Sequence, residues 1–208
     1  MPSVLVVCTA NVCRSPFAHA LLAEQLNRNH TIQLRSAGTR ATAGQHICPV
    51  VATELGDNEF AQTHVARPLS AKLIEGADLI LTAELKQRAS VARLSPAARS
   101  RTFTLIEAAT LTEAIDSSRR ERIGAGIALP SLGESFEELV ARLDGARGLA
   151  HPIERKHRWF ERRTKESAAD ALTIPDGHNV NARAHKSALG VVSASSDQLA
   201  NWLRANLA

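Results

Sequence analysis

A doubly wound, mostly parallel α/β sheet flanked by helices is the architecture this sequence predicts. Two buried-strand signals and the helical segments between them carry that expectation. Val4, Leu5, Val6 and Val7 form a continuous apolar run without the alternation of a half-solvated antiparallel strand, so they suit a central parallel strand covered on both faces. Ala77-Asp78-Leu79-Ile80-Leu81-Thr82 repeats the signal further along. Strands that alternate with helices build a parallel sheet through crossover connections.

The other elements follow in order. After the first strand, Phe17, Ala20, Leu21, Leu22 and Leu26 recur at helical spacing, with Ser15 placed to cap the helix and Pro16 at its first position. Ile32 to Leu34 predicts a second strand ending in Ser36-Ala37-Gly38, and Val50 to Leu55 a helix stopped at Gly56. Helices are expected over Ser70 to Glu75 and Glu84 to Leu94, a short strand over Arg101 to Leu105, and a long final amphipathic helix over Ala182 to Leu207. Between residues 106 and 171 strand signals fade, and Phe136, Leu139, Val140 and Leu143 mark one amphipathic helix. The chain is therefore expected to be a single domain over 1–208 with a largely helical insertion at 106–171, before the last helix. In that stretch Arg155, Lys156, Arg158, Arg162, Arg163 and Lys165 surround Trp159 and Phe160. A solvated helix face is the plainer reading, and a patch for an acidic partner the sharper one.

Composition narrows the classes. With 208 residues, 44% hydrophobic and 22% charged, the chain is an ordinary globular one, able to bury a core. Its formal charge of +4 favours anionic substrates but does not mark a nucleic-acid binder. The apolar start is too short for a span and has no basic leader, so a cytoplasmic protein without membrane association is expected. Three cysteines cannot all pair internally, which argues against a disulfide framework and for a chemical role. Frequent alanine and arginine point, on composition alone, to a bacterial source. No oligomeric state is legible.

The chemistry concentrates in Cys8-Thr9-Ala10-Asn11-Val12-Cys13-Arg14-Ser15, a short loop from a buried strand to a helix N-terminus. Inward backbone N–H groups and the helix dipole favour an anion there, and an arginine can grip two phosphate oxygens at once. The same positive field favours the nucleophilic thiolate of Cys8. The plain alternative for Cys8 is a small buried residue at a strand end.

The pattern Val-x-Cys-x-x-Asn-x-Cys-Arg-Ser-Pro from Val6 to Pro16 resembles the phosphate loop of the low-molecular-weight protein tyrosine phosphatases. The likeness extends through Ser36-Ala37-Gly38-Thr39, His64-x-Ala66-Arg67, Ala77 to Leu81 and Thr102 to Leu105, and resumes at Ile174-Pro175-Asp176. It implies Cys8 as nucleophile, Arg14 as phosphate grip and Asp176 as general acid. It also implies that Thr9, Ala10, Asn11, Val12, Cys13 and Ser15 line or shape the loop, with Ser36 and a neutral His64 hydrogen-bonding it. Gly177 stands where the family has proline, which predicts a looser loop. Leu129-Pro130-Ser131 lacks a carboxylate, and a turn or helix cap is the plain alternative for Asp176. Cys13 reads either as a packing residue or, by resemblance, as partner to Cys8 in a protective disulfide. Thr9, Thr42 and His178 stand near positions where the family walls its cleft with aromatics, and tyrosine is absent.

The resemblance thus implies hydrolysis of phosphotyrosine on proteins, or of small aryl phosphates, through a cysteinyl-phosphate, with no cofactor or metal. Partners are a phosphorylated protein or a small phosphate monoester. Two alternatives are a thiol-dependent arsenate reductase, for which Cys48 is the one downstream cysteine, and a weakly active phosphate-binding module.

Overall fold

The computed structural model describes residues 1–26, 32–126, 134–147 and 171–207. Four parallel strands lie in the order β2-β1-β3-β4, with β1 at Ser3–Cys8, β2 at Gln33–Gly38, β3 at Leu79–Thr82 and β4 at Thr102–Thr104. Every residue of β1 is buried, as its unbroken apolar run predicts. Val4, Val6 and Cys8 point into one core layer, and Leu5 and Val7 into the other. Each fully buried aliphatic side chain there contributes about 1.5–3 kcal/mol relative to exposure.

The larger layer holds α1 (Arg14–Leu26), α6 (Leu105–Gly124), α7 (Phe136–Gly145) and α8 (Ala182–Asn206). The smaller holds α4 (Ala71–Glu75) and α5 (Leu85–Leu94). Two short helices, α2 (Pro49–Leu55) and α3 (Glu59–Thr63), lie in the crossover from β2 to β3. β1 connects to β2 on one side while β3 lies on the other, so the sheet reverses direction between β1 and β3. In open α/β sheets the crevice beyond the carboxyl ends of the strands at such a point is where ligands bind.

Three elements differ from the sequence expectation. Helix α1 begins at Arg14, so Ser15 lies within its first turn rather than capping it. Helix α3 was not expected, being too short to show a period. Helix α6, inside the expected insertion, is buried on nearly every side in its first two turns and solvated later, which cancels any amphipathic signal. Its start is nonetheless written locally: Thr104 and Glu107 form a reciprocal capping box.

Helix α7 buries Phe136, Leu139, Val140 and Leu143, and both α6 and α7 join the main core. The insertion's basic cluster and Leu129-Pro130-Ser131 lie outside the described residues, as do His151 and His157. Among the described residues no helix is long and apolar enough to cross a membrane.

Candidate active site

Strand β1 ends at Cys8 and α1 begins at Arg14, so the loop between them opens at the reversal point of the sheet. Asn11 takes φ 58°, a left-handed conformation that asparagine tolerates better than most residues. This turn aims its amide at Cys8: Asn11 N–H donates to Cys8 Sγ at 3.2 Å, and the Ser15 hydroxyl donates to the same sulfur at 3.1 Å. Two donors converge on one sulfur and fix its position at the start of the loop.

The strained turn is held by its own side chain. Asn11 Nδ2 donates to Ser15 Oγ at 2.9 Å, and its Oδ1 accepts from Arg67 N–H at 3.0 Å. His64 Nε2 lies 2.9 Å from Asn11 O; a carbonyl only accepts, so the His64 proton is on Nε2. Burial, its largest influence, pushes the His64 pKa below the usual histidine range, which keeps the ring neutral as expected from the resemblance.

Strand β2 supports the loop through its backbone. Thr39 N–H donates to Cys8 O at 3.0 Å and Arg40 N–H to Thr9 O at 2.8 Å. A side chain on Gly38 would stand 2.6 Å from Thr9 O, so only glycine permits this approach. Ser36, expected to hydrogen-bond the loop, does not: its hydroxyl is buried without a hydrogen-bond partner. In the parallel register Ser36 pairs with Val6 while Gly38 pairs with Cys8, so Ser36 sits two residues back from the strand end that leads into the loop.

Arg14 is buried and held from two sides. Its Nη1 pairs with Glu84 Oε1 at 2.5 Å and donates to Ile174 O at 2.8 Å. Its Nη2 lies 3.1 Å from Asp176 Oδ2. Asp176 does not cap the last helix, which is Asn181's role; its other oxygen accepts from His178 N–H at 3.3 Å.

Gly177 corrects the expectation of a loose acid loop. A Cβ there would stand 2.3 Å from Ala184 O and 2.6 Å from His185 N, so the loop backbone is packed onto the first turn of α8 with no room for a side chain.

Glu84 and Gln87 were missed. Gln87 Nε2 bridges Glu84 Oε1 at 3.0 Å and Thr9 Oγ1 at 3.1 Å, and its Oε1 accepts from Glu84 N–H. Their signal was present: a capping box directly after β3, at the strand end that adjoins β1. Thr9 is thus tied inward.

His178, expected near the cleft wall, instead puts Nδ1 3.3 Å from Cys13 Sγ. Cys48 also joins Cys13, although it follows far along the chain: its amide donates to Val12 O at 2.9 Å. The Cys13 thiol hydrogen-bonds to Cys48 and thereby lowers the Cys48 pKa, against the effect of burial. The same bond, with burial, raises Cys13.

Residues 3–157 match the family model described as low molecular weight phosphotyrosine protein phosphatase. The chain belongs to that family. This phosphatase family member is a cysteine-dependent hydrolase of phosphate monoesters. It is 31% identical over 147 residues to the low molecular weight protein-tyrosine-phosphatase Wzb of Salmonella typhi, a match covering 70% of this chain and 96% of Wzb. It is 36% identical over 110 residues to the protein-arginine-phosphatase of Bacillus subtilis, covering 51% and 72% of the two chains. The crystal structure of the Erwinia amylovora tyrosine phosphatase AmsI shares the phosphatase fold, with a TM-score of 0.58 at 23% identity over 96% of this chain and 91% of that one. The family-model match ends before Asp176, whose place in the site rests on its contact with Arg14.

Proposed function

We propose that this phosphatase hydrolyses phosphotyrosine on proteins, or small aryl phosphates, in a bacterial cytoplasm, with Cys8 as nucleophile, Arg14 as phosphate grip and Asp176 as general acid. The observation that carries this reading is convergence. Two hydrogen bonds aim at Cys8 Sγ, while the arginine at the other end of the same loop touches the one candidate proton donor.

In the first step the Cys8 thiolate attacks phosphorus in line with the ester bond. The S–P bond forms as the P–O bond breaks, and protonated Asp176 delivers its proton to the departing oxygen. Loop amides and Arg14 hold the equatorial oxygens, whose charge they stabilise without reorganising. In the second step water attacks the cysteinyl-phosphate and gives a proton to the Asp176 carboxylate. The P–S bond breaks, inorganic phosphate leaves and the thiolate is restored. Asn11, Ser15 and His64 keep the loop in its strained form, and Glu84 holds Arg14 in plane.

The test is hydrolysis of para-nitrophenyl phosphate and of a phosphotyrosine peptide by wild type, Cys8→Ser and Asp176→Ala. Cys8→Ser is expected to be inactive. Asp176→Ala should lose about 10²–10⁴-fold in kcat, the usual worth of a general acid. Full activity of Cys8→Ser would sink the mechanism.

A second substrate reading, phosphoarginine, is favoured by the similarity to a protein-arginine-phosphatase. A higher kcat/KM on phosphoarginine than on phosphotyrosine peptides would select it. Arsenate turnover with a thiol reductant that exceeds phosphatase turnover would select the arsenate reading. Capture of a phosphopeptide by wild type without turnover would select the binding module.

A further inference from the structure

Behind the phosphate loop, four residues from separate parts of the chain bring their donor atoms together. The sulfurs of Cys13 and Cys48 and one ring nitrogen each of His178 and His185 all lie within 4.8 Å of one another. Both cysteines and His185 are buried, and His178 is exposed. We propose that Cys13, Cys48, His178 and His185 form a four-ligand structural site for zinc or a similar thiophilic divalent cation.

Two sulfur–nitrogen edges suit a tetrahedron. With zinc–sulfur bonds of about 2.3 Å and zinc–nitrogen bonds of about 2.05 Å, a sulfur and a nitrogen on one tetrahedral edge stand about 3.6 Å apart. Those two edges lie on either side of that: Cys13 Sγ to His178 Nδ1 is 3.3 Å, and Cys48 Sγ to His185 Nε2 is 3.9 Å. The imidazole rings meet edge to face with centroids 5.1 Å apart, so their nitrogens approach the sulfurs without the rings stacking. Two thiolates and two imidazoles select zinc-like metals over magnesium or calcium, which take oxygen ligands.

A site with four protein ligands has no open position for a reacting water. Its role is therefore mechanical. Cys13 belongs to the phosphate loop and Cys48 precedes the first turn of α2. His185 lies in the first turn of α8, and His178 follows Asp176 by two residues. One cation would clamp the phosphate loop to the acid loop and to the helix on which that loop rests. It would also occupy both Cys13 and Cys48, withholding Cys13 from any disulfide with Cys8. The long sequence gap between the cysteines explains why no zinc-finger spacing announces the site.

The test is titration of the full-length, chelator-stripped, fully reduced protein with cobalt(II), followed by zinc. One equivalent of cobalt is expected to give the intense visible bands of tetrahedral coordination and a thiolate-to-metal charge-transfer band, both abolished when zinc displaces it. Cys48→Ser and His185→Gln should each weaken cobalt binding by more than the about 10–100-fold that loss of a supporting partner costs a metal site. Cys8→Ser should keep the stoichiometry and the spectrum. Zinc at a hundredfold excess over its wild-type Kd should raise the folded-to-unfolded ratio of wild type about a hundredfold, and that of Cys48→Ser by about twofold or less.

Far-ultraviolet circular dichroism and a cooperative urea transition, both recorded without metal, verify that Cys48→Ser and His185→Gln are folded. Weak octahedral cobalt spectra, bands that vanish in Cys8→Ser but persist in Cys48→Ser, or a Cys13–Cys48 disulfide in protein that takes up no metal when reduced would each overturn the site.

Discussion

At the scale of single residues, the phosphate loop is a strained conformation stabilised by hydrogen bonds in which almost every polar atom has one task. Asn11 supplies a left-handed backbone, a donor to Ser15 and an acceptor for Arg67. Replacing it with glycine keeps the backbone accessible and removes the side-chain bonds. Asn11→Gly is expected to cost about 1–3 kcal/mol of stability and to lower kcat, as urea unfolding and steady-state kinetics would show. Glu84→Gln removes the buried counter-charge of Arg14, and breaking one side of such a pair costs about 3–5 kcal/mol. Its expected signature is weaker inhibition by inorganic phosphate together with a lower urea midpoint.

His19 supplies a pH prediction. Burial, the first cause, lowers its pKa to about 4, and its Nδ1 has no hydrogen-bond partner. The unfolded chain takes up this proton below about pH 6.5 and the folded chain does not. The stability it contributes is therefore full above that pH and is lost as pH falls toward 4, up to about 3 kcal/mol. His19→Leu should flatten the pH dependence of urea unfolding across that window; an unchanged slope would count against it.

At the scale of elements, the acid loop and α8 form one unit. Gly177→Ala would press a methyl group onto Ala184 O, so the loop must lift and carry Asp176 away from Arg14. The variant is expected to stay folded yet to lose about 10²-fold or more in kcat, approaching Asp176→Ala. Most of this unit is readable in the chain: the amphipathic run of α8 and the Ile174-Pro175-Asp176-Gly177 turn stand out. What local reading misjudges is the glycine. Without knowledge of what packs against it, glycine signals freedom, whereas here the missing Cβ is what lets two backbones touch. The capping boxes at Glu84 and Thr104 are local signals that mark the starts of α5 and α6. That the Glu84 carboxylate also seats Arg14 depends on β3 lying beside β1.

At the scale of the whole molecule, the described helices within the expected insertion are part of the main core. Leu139 of α7 is fully buried in the layer shared with α6 and α8. Leu139→Ala should destabilise the entire domain by about 2–5 kcal/mol. A single cooperative transition shifted to lower urea is the expected outcome; a separate early transition would mean that α7 unfolds alone. Glu107 adds cross-links, pairing with Arg88 of α5 at 2.7 Å and with Arg147 beyond α7 at 3.1 Å.

The sequence by itself determined the parallel α/β class and marked the loop from Cys8 to Arg14, because each is written in a contiguous run whose period or residue order has a direct physical meaning, whereas Asp176 as candidate acid came from the family resemblance alone. Only the tertiary structure decided that the Ser36 hydroxyl is left without a partner, that Glu84 seats Arg14, and that Cys48, His178 and His185 gather behind Cys13. Those facts depend on strand register and on which loops the reversal of the sheet brings together. Long-range packing sets both, and no local stretch of chain records it.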